Sequence, residues 1–497
     1  MRSFTSFCLL LSTAAIFAQV SFPLPAFEQY IEKARQDWQT PGLAVGIVYK
    51  GEIIMAKGFG EKRLGSGQAV DGKTIFGIAS TTKAMTAACM AMLVDEGKVK
   101  WDDPVIKHLP GFRIADPFIT AELTIRDLFT HNGGMGNADY LWYGTDLNSK
   151  QIMEKLPLIE PAYSLRGGWI YQNIMYLIAG QVIEKVSGQP WETFVRERIF
   201  QPLGMHRSYS NQQMSMQEPN RSTPHFSVNG KVQTIEDASA DGIAPAGAVW
   251  SCVEDMTKWL RFVLDSARVN GNRLLKADSY SEWLKPQSIV NKSGFYPTAS
   301  LTKPHWTTYA LGWFQQDYRG RMVHFHTGSL DGTVAIIGLM PEENIGIYVL
   351  GNLDHTELRH ALMYKAFDLA MGIADGADWN ADFLKLYTSL RKDAAAKQQQ
   401  QLAKRVSGTQ PSLPQNAWTG TYENPLYGKV EMKIENGVLR AVSGDWLQMT
   451  LQHWHYDTYR GTYDKAWLDP AWVQLRMDKI SGQAAGMEID GIFFNKK

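Results

Sequence analysis

The 497-residue sequence predicts an α+β fold: an antiparallel sheet flanked by helices, split by a mainly helical insertion, and followed by a small C-terminal all-β barrel-like domain. Three observations predict it. Strand-like runs stand near both ends of residues 22–375, helical spacing fills the stretch between them, and alternating apolar residues return after a charged, Gln-rich segment. With 44% hydrophobic and 11% aromatic residues, the chain can bury a large core in two or three units.

The chain opens on "MRSFTSFCLLLSTAAIFAQ", in which one Arg, an apolar run and small residues near Ala18 have the layout of a secretory signal peptide over residues 1–18. The mature protein is then expected to start near Gln19 and to be secreted or periplasmic. No later apolar run reaches the roughly 18 residues a spanning helix needs, so no membrane segment is expected after cleavage. Cys8 falls in the signal, which leaves Cys89 and Cys252, too few for a disulfide framework or a thiolate metal site. Fifty Lys plus Arg balance fifty Asp plus Glu, so nothing marks a nucleic-acid or anionic-membrane partner. A small neutral or zwitterionic molecule or short peptide fits better, and the oligomeric state is left open.

The first domain is expected over residues 19–385. "FEQYIEKARQDW" spaces Phe27, Tyr30, Ile31 and Ala34 as a helix, and "LAVGIVYKGEIIMAKGFG" reads as two strands around a Lys50–Gly51 turn. Much later, "MVHFHTG", "TVAIIGLM" and "IGIYVLGN" give three more strands before "LRHALMYKAFDLAMG" returns to helix. One antiparallel sheet is therefore built from residues 22–99 and 301–375, with a helical region over 100–300 that includes "MYLIAGQVIEKVSG" and "VEDMTKWLRFVLDSA". Residues 386–414, with "RKDAAAKQQQQLAKRVSGTQPSLP", suit a linker better than the alternative, an interaction helix over "AAAKQQQQLAK". Residues 415–497 follow as the β unit, where Val430, Met432 and Ile434 alternate before an Asn436–Gly437 turn.

Chemistry concentrates at "GIASTTKAMTAACMAMLVDEG". Ser80 and Lys83, three apart, are neighbours on a first helical turn, where free N–H groups stabilise an alkoxide and discourage protonation of a nearby amine. The apolar run behind them buries the helix and holds the pair rigidly, with Cys89 as an inert buried thiol. Alone, S-x-x-K is equally a helix cap beside a surface lysine. Two companions add weight. "YQN" places Tyr171 and Asn173 at a loop-to-helix junction, and "HTGS" places His326, Thr327, Gly328 and Ser329 on a strand, where Gly328 lets a substrate backbone approach the edge. Each companion also has an ordinary reading, as a helix cap and as a strand glycine. His453 and His455 alternate on a strand as two metal ligands would, but no third ligand accompanies them, and packing beside Trp454 is the better reading.

In this order and on these elements, S-x-x-K, Y-x-N and H-T-G resemble the serine penicillin-binding protein and class C β-lactamase superfamily, which includes D-aminopeptidases and esterases. "GKVKWDDPVIKHLPGF", "LTIRDLFTHNGGM", "FQPLGM" and "GIAPAGAVWSCVEDMTKWLRF" are similar to its connecting signatures, and "WTGTYENPLYGKV" is similar to the lipocalin-like β domain of some members. The resemblance implies a β-lactamase/transpeptidase-like fold and a serine hydrolase that needs no metal or organic cofactor. It makes Ser80 the nucleophile, Lys83 its proton partner and Tyr171 the general base for attack and acid for the leaving group, with Asn173 holding the substrate amide and Lys83. The N–H groups of Ser80 and Ser329 form the oxyanion hole beside His326 and Thr327. The implied substrates are β-lactams or D-amino-acid peptides; a carboxylesterase of the same fold and a non-catalytic sensor are the alternatives. His326 stands where penicillin-recognising members usually have Lys, so a permanent cation is replaced by one that titrates; the alternative is a neutral imidazole that only hydrogen-bonds Tyr171 or Ser80.

Overall fold

In the computed structural model, which describes residues 22–373, 376–445 and 447–497, the early hairpin and the late strands meet in one sheet. The expected signal peptide over residues 1–18, with Cys8, lies outside the described residues. Helix α1 (Leu24–Asp37) buries Phe27, Ile31 and Ala34, one helical stripe. It leads into β1 (Gly42–Tyr49) and β2 (Glu52–Gly60), joined through Lys50 and Gly51, which both take positive φ as a tight hairpin requires. Helices α2 (Thr82–Asp95), α3 (Asn173–Ser187) and α4 (Val253–Leu264) belong to the long middle of the chain. The remaining strands are β3 (Ser288–Ile289), β4 (Thr307–Tyr309), β5 (Phe314–Tyr318), β6 (Arg321–Leu330), β7 (Thr333–Met340) and β8 (Ile345–Gly351).

The sheet order is β2-β1-β8-β7-β6-β5-β4-β3, and the pairing of Val45 with Val349 closes the gap between chain ends. Strand β1 is buried along its length because both faces are covered. Leu43, Val45 and Ile47 face a core shared with α1 and with α5 (Leu358–Ala370), whereas Ala44 and Val48 face one shared with α2, α3 and α4. Between Ala44 and Val48, Gly46 lets α4 approach closely, since a Cβ there would lie 2.4 Å from Thr257. Strand β5 carries Gln315 and Gln316, which read as polar but are buried. Gln315 donates to the Leu284 carbonyl, and Gln316 donates to the Tyr364 hydroxyl.

The Gln-rich segment departs from expectation. Helix α6 runs over Trp379–Leu402, so much of the stretch expected as a linker is helical. Its Ala, Lys, Gln, Arg and Leu are good helix formers, the Asp378 side chain accepts from the Ala381 N–H, and Trp379 and Phe383 anchor the first turns in the core. A charged composition marks a solvated surface, which a helix satisfies as well as a coil.

The C-terminal strands β9 (Gly420–Asn424), β10 (Gly428–Glu435), β11 (Val438–Ser443), β12 (Leu447–His455), β13 (Thr458–Tyr463), β14 (Ala471–Met477), β15 (Ala484–Ile489) and β16 (Ile492–Lys496) form a closed barrel. Each strand pairs with the next, and Tyr422 opposite Lys496 closes it. Its interior is filled by side chains such as Trp418, Tyr422, Met449, Tyr459 and Phe494. Val430 and Met432 point inward as their alternation predicts, and Ile434 is exposed at the rim. A bulge lies between His453 and His455; His453 bonds the Tyr456 carbonyl, and His455 accepts from the Val406 N–H. The barrel docks on the first domain: Lys155 donates to the Leu426 carbonyl, and the Trp467 indole donates to Asp331.

Candidate active site

Ser80 lies on a single 3₁₀ turn (Ala79–Thr81) immediately before α2. Ala79 takes φ of 47°, a left-handed conformation costly for a residue with a Cβ, and the turn is held by twelve buried residues of α2 behind it. Lys83, on the first turn of α2, is 0% exposed. Its Nζ lies 3.0 Å from Ser80 Oγ, 2.8 Å from Asn173 Oδ1 and 2.8 Å from the Ala246 carbonyl. The last two can only accept, so a neutral amine spends both its protons on them and turns its lone pair toward the Ser80 hydroxyl. Burial lowers the Lys83 pKa to about 7, opposed by the negative charge of Asp139.

Tyr171 reaches the same point from the loop before α3 and hydrogen-bonds Ser80. Burial holds its phenol well above the ordinary value, a rise that the Ser80 bond partly offsets. His131 grips the backbone on both sides of this tyrosine: its Nδ1 accepts from the Gln172 N–H and its carbonyl from the Ile170 N–H, each at 3.0 Å. The imidazole lies 4.4 Å from the Tyr171 ring, centroid to centroid. Asn173, at the start of α3, is engaged at both ends, accepting from Lys83 and donating to Asp139 Oδ1 at 3.1 Å.

The opposite wall is β6. Beyond Phe325 this strand pairs with β7 alone, so its other edge is open around His326–Ser329. Gly328 has a packing role that the sequence did not show: a Cβ there would sit 2.1 Å from the Ile78 carbonyl, so its bareness admits the serine turn. His326 corrects an expectation. It is 1% exposed, with Nδ1 2.6 Å from the Thr327 carbonyl and Nε2 2.9 Å from the Tyr309 hydroxyl. A carbonyl only accepts, so Nδ1 carries the proton and Nε2 accepts from Tyr309. Burial, reinforced by Lys83, lowers the His326 pKa to about 3, so the imidazole is neutral where a titrating cation was expected. The Thr327 hydroxyl bonds Tyr296 at 2.6 Å, and Ser329 Oγ accepts from Arg359 at 3.0 Å.

These walls enclose a cavity of about 450 Å³ lined by Ser80, Tyr171, Asn173, His326, Thr327 and Ser329. Every candidate catalytic or substrate-binding residue from the sequence thus lies at this cavity, save Lys83 and Gly328, which stand directly behind it. The sequence reading missed Asp139, the aromatic lining of Trp142, Trp169, Tyr296 and Phe314, and the supporting His131. Of these, only His131 sat in a quoted signature, "LTIRDLFTHNGGM". Among the described residues no group of three or more His, Cys, Asp or Glu side chains could hold a metal ion.

The whole chain is similar to known proteins. The Beta-lactamase family profile matches residues 27–370. The chain belongs to the β-lactamase family. It is a serine hydrolase by that membership, and its barrel matches a second profile, a domain of unknown function (DUF3471), over residues 404–496. The unguisins hydrolase ungD of Aspergillus violaceofuscus (strain CBS 115571) is 28% identical over 449 residues, 84% of this chain and 78% of that protein. In structure, the octameric penicillin-binding protein homologue from Pyrococcus abyssi is similar at a TM-score of 0.61 and 20% identity, over 95% of this chain and 100% of that one. A D-stereospecific amidohydrolase from Streptomyces sp. is similar at 0.56 and 23% identity, over 71% and 99% respectively. These two structural likenesses concern the fold.

Proposed function

We propose that this family member cleaves amide or ester bonds through an acyl-enzyme on Ser80, acting on D-amino-acid peptides or β-lactams outside the cytoplasm. The observation that carries the reading is the Lys83 amine, with two acceptors to hold its protons and Ser80 Oγ 3.0 Å away. Ser80 attacks the carbonyl and its proton passes to Lys83, which near neutral pH is the base better placed than a phenol held well above its usual range. The oxyanion is received by the N–H groups of Ser80 and Ser329, each such donor being worth about 100-fold or more in turnover. Tyr171, hydrogen-bonded to Ser80, gives its proton to the leaving amine or alcohol and is reprotonated by the proton that Lys83 took from Ser80, which leaves both groups as they began. Water then attacks the ester with Lys83 again as the base, and Ser80 leaves with a proton to free the enzyme. The named activity of the Streptomyces D-stereospecific amidohydrolase supports an amide substrate with D-residues, and the Aspergillus relative is by name a hydrolase. A neutral His326 weighs against strong recognition of a β-lactam carboxylate.

The test is turnover of nitrocefin, D-amino-acid p-nitroanilides and p-nitrophenyl esters, side by side, by wild type and Ser80→Ala. Serine-dependent turnover of the anilides supports the reading, and turnover of esters alone replaces it with the carboxylesterase. Wild-type rates in Ser80→Ala contradict the nucleophile, and no turnover of any substrate favours the non-catalytic sensor.

A further inference from the structure

The cavity carries one formal charge, and it is negative. Among its lining residues Asp139 is the only Asp or Glu, and none is Lys or Arg. The two positions from which a cation could face a substrate anion are closed. His326 is held as a neutral imidazole between Tyr309 and the Thr327 carbonyl. Arg359, 4% exposed behind β6, gives its guanidinium to Glu357, to the Gly328 and Ala335 carbonyls and to Ser329 Oγ.

Asp139 is placed with care but not neutralised. Its Oδ1 accepts from the Trp142 indole at 2.7 Å and from Asn173 Nδ2 at 3.1 Å, and its Oδ2 accepts from the Asn137 amide at 3.1 Å. All three donors are neutral, and among the described residues no ion pair to Asp139 is formed. These bonds fix the carboxylate within one bridging side chain of the catalytic amine, since Asn173 contacts both. A carboxylate held by neutral donors at a cavity wall keeps acceptor capacity for a cation that the protein itself does not supply. Trp142, Trp169, Tyr296 and Phe314 on the same lining offer apolar faces for a hydrocarbon or aromatic group beside it.

We infer that Asp139 is a specificity-determining residue that receives a protonated amine of the substrate, so the enzyme selects cationic substrates with a bulky apolar group over neutral and anionic ones. The inference rests on the acyl-enzyme reading of Ser80. The amine could stand on the acyl group or on the leaving group, and two matched pairs separate these sources. The first compares D-phenylalanine p-nitroanilide with 3-phenylpropanoyl p-nitroanilide, which lacks only the amine. The second compares the 2-(dimethylamino)ethyl and 3-methylbutyl esters of 3-phenylpropanoic acid.

In wild type, kcat/KM is expected to favour the amine-bearing member of one pair by about tenfold or more, the scale of a charge-assisted hydrogen bond. That ratio is expected to fall toward one in Asp139→Asn, which keeps an oxygen for Trp142 and Asn173, and to be partly kept in Asp139→Glu. Labelling of each variant by a fluorophosphonate reports whether its Ser80 site is intact. If labelling proceeds but neither pair shows a preference in wild type, or the preference survives in Asp139→Asn, the amine assignment is overturned and the acyl-enzyme reading stands. If wild type is not labelled, both fall.

Discussion

Two buried clusters of ionisable groups lie on opposite sides of strand β6, and they treat charge in opposite ways. Behind the strand, Arg359 is paired with Glu357, which is bonded in turn to His360. The guanidinium, together with bonds from His360, keeps the Glu357 carboxyl well below the usual carboxylate range despite burial, so both charges persist. In front of it, Lys83 is as deeply buried but meets only neutral acceptors at hydrogen-bonding distance, and burial drives it to about 7. Pairing fixes a charge and builds a wall, whereas burial without a counter-ion makes a group that gives and takes a proton near neutral pH.

The largest break in this comparison comes from Lys83→Met. It removes the titrating amine and should lower kcat/KM for a p-nitrophenyl ester by about 100- to 10,000-fold, the span of general acid–base catalysis. Circular dichroism should stay native-like, and a variant retaining a tenth of wild-type activity would show that another base serves Ser80. The converse substitution, Glu357→Gln, strands the Arg359 charge in the interior. It should cost about 3–5 kcal/mol in denaturant unfolding, with a much smaller loss of rate per folded molecule than Lys83→Met. Unchanged stability would mean that the pair does not behave as a buried ion pair.

A smaller effect is read from pH. With Lys83 as the base, kcat/KM for a neutral ester should rise with pH through about 7 as the amine loses its proton. His326, lowered to about 3, should contribute no inflection near 6.5. The same lysine links to stability. Unfolded, it holds its proton up to about 10.4, so between about 7 and 10 the unfolded chain binds more protons, and this group's contribution to stability rises with pH. A rate limb that persists near 7 in Lys83→Met would assign it elsewhere.

The comparison also explains what the sequence disclosed. Ser80 with Lys83, and Tyr171 with Asn173, are short-range patterns, and helical spacing or a helix start brings their side chains together whatever the remaining fold does. The sheet was legible for a similar reason, because β1, β6, β7 and β8 are apolar runs bounded by turns. The protonation of His326 was not legible, since it depends on Tyr309 two strands away in the sheet and on complete burial. Asp139 and Arg359 carry no local signal: the contacts that tie them to the site, with Asn173 and with the Gly328 carbonyl, are 34 and 31 residues away in sequence. Helix α6 ranked below a linker because its exposed turns have the composition of a solvated segment, and the packing role of Gly328 was not legible because its neighbour, the Ile78 carbonyl, comes from a distant part of the sequence.

The central claim, that Ser80 is activated for covalent catalysis, is tested most directly by intact-mass measurement after incubation with a fluorophosphonate at pH 8, on wild type, Ser80→Ala and Lys83→Met. Wild type should gain a single stoichiometric adduct that peptide mapping places on Ser80, Lys83→Met should gain it far more slowly, and Ser80→Ala should gain none. An unmodified wild type, or an equal adduct on Ser80→Ala, would contradict the account.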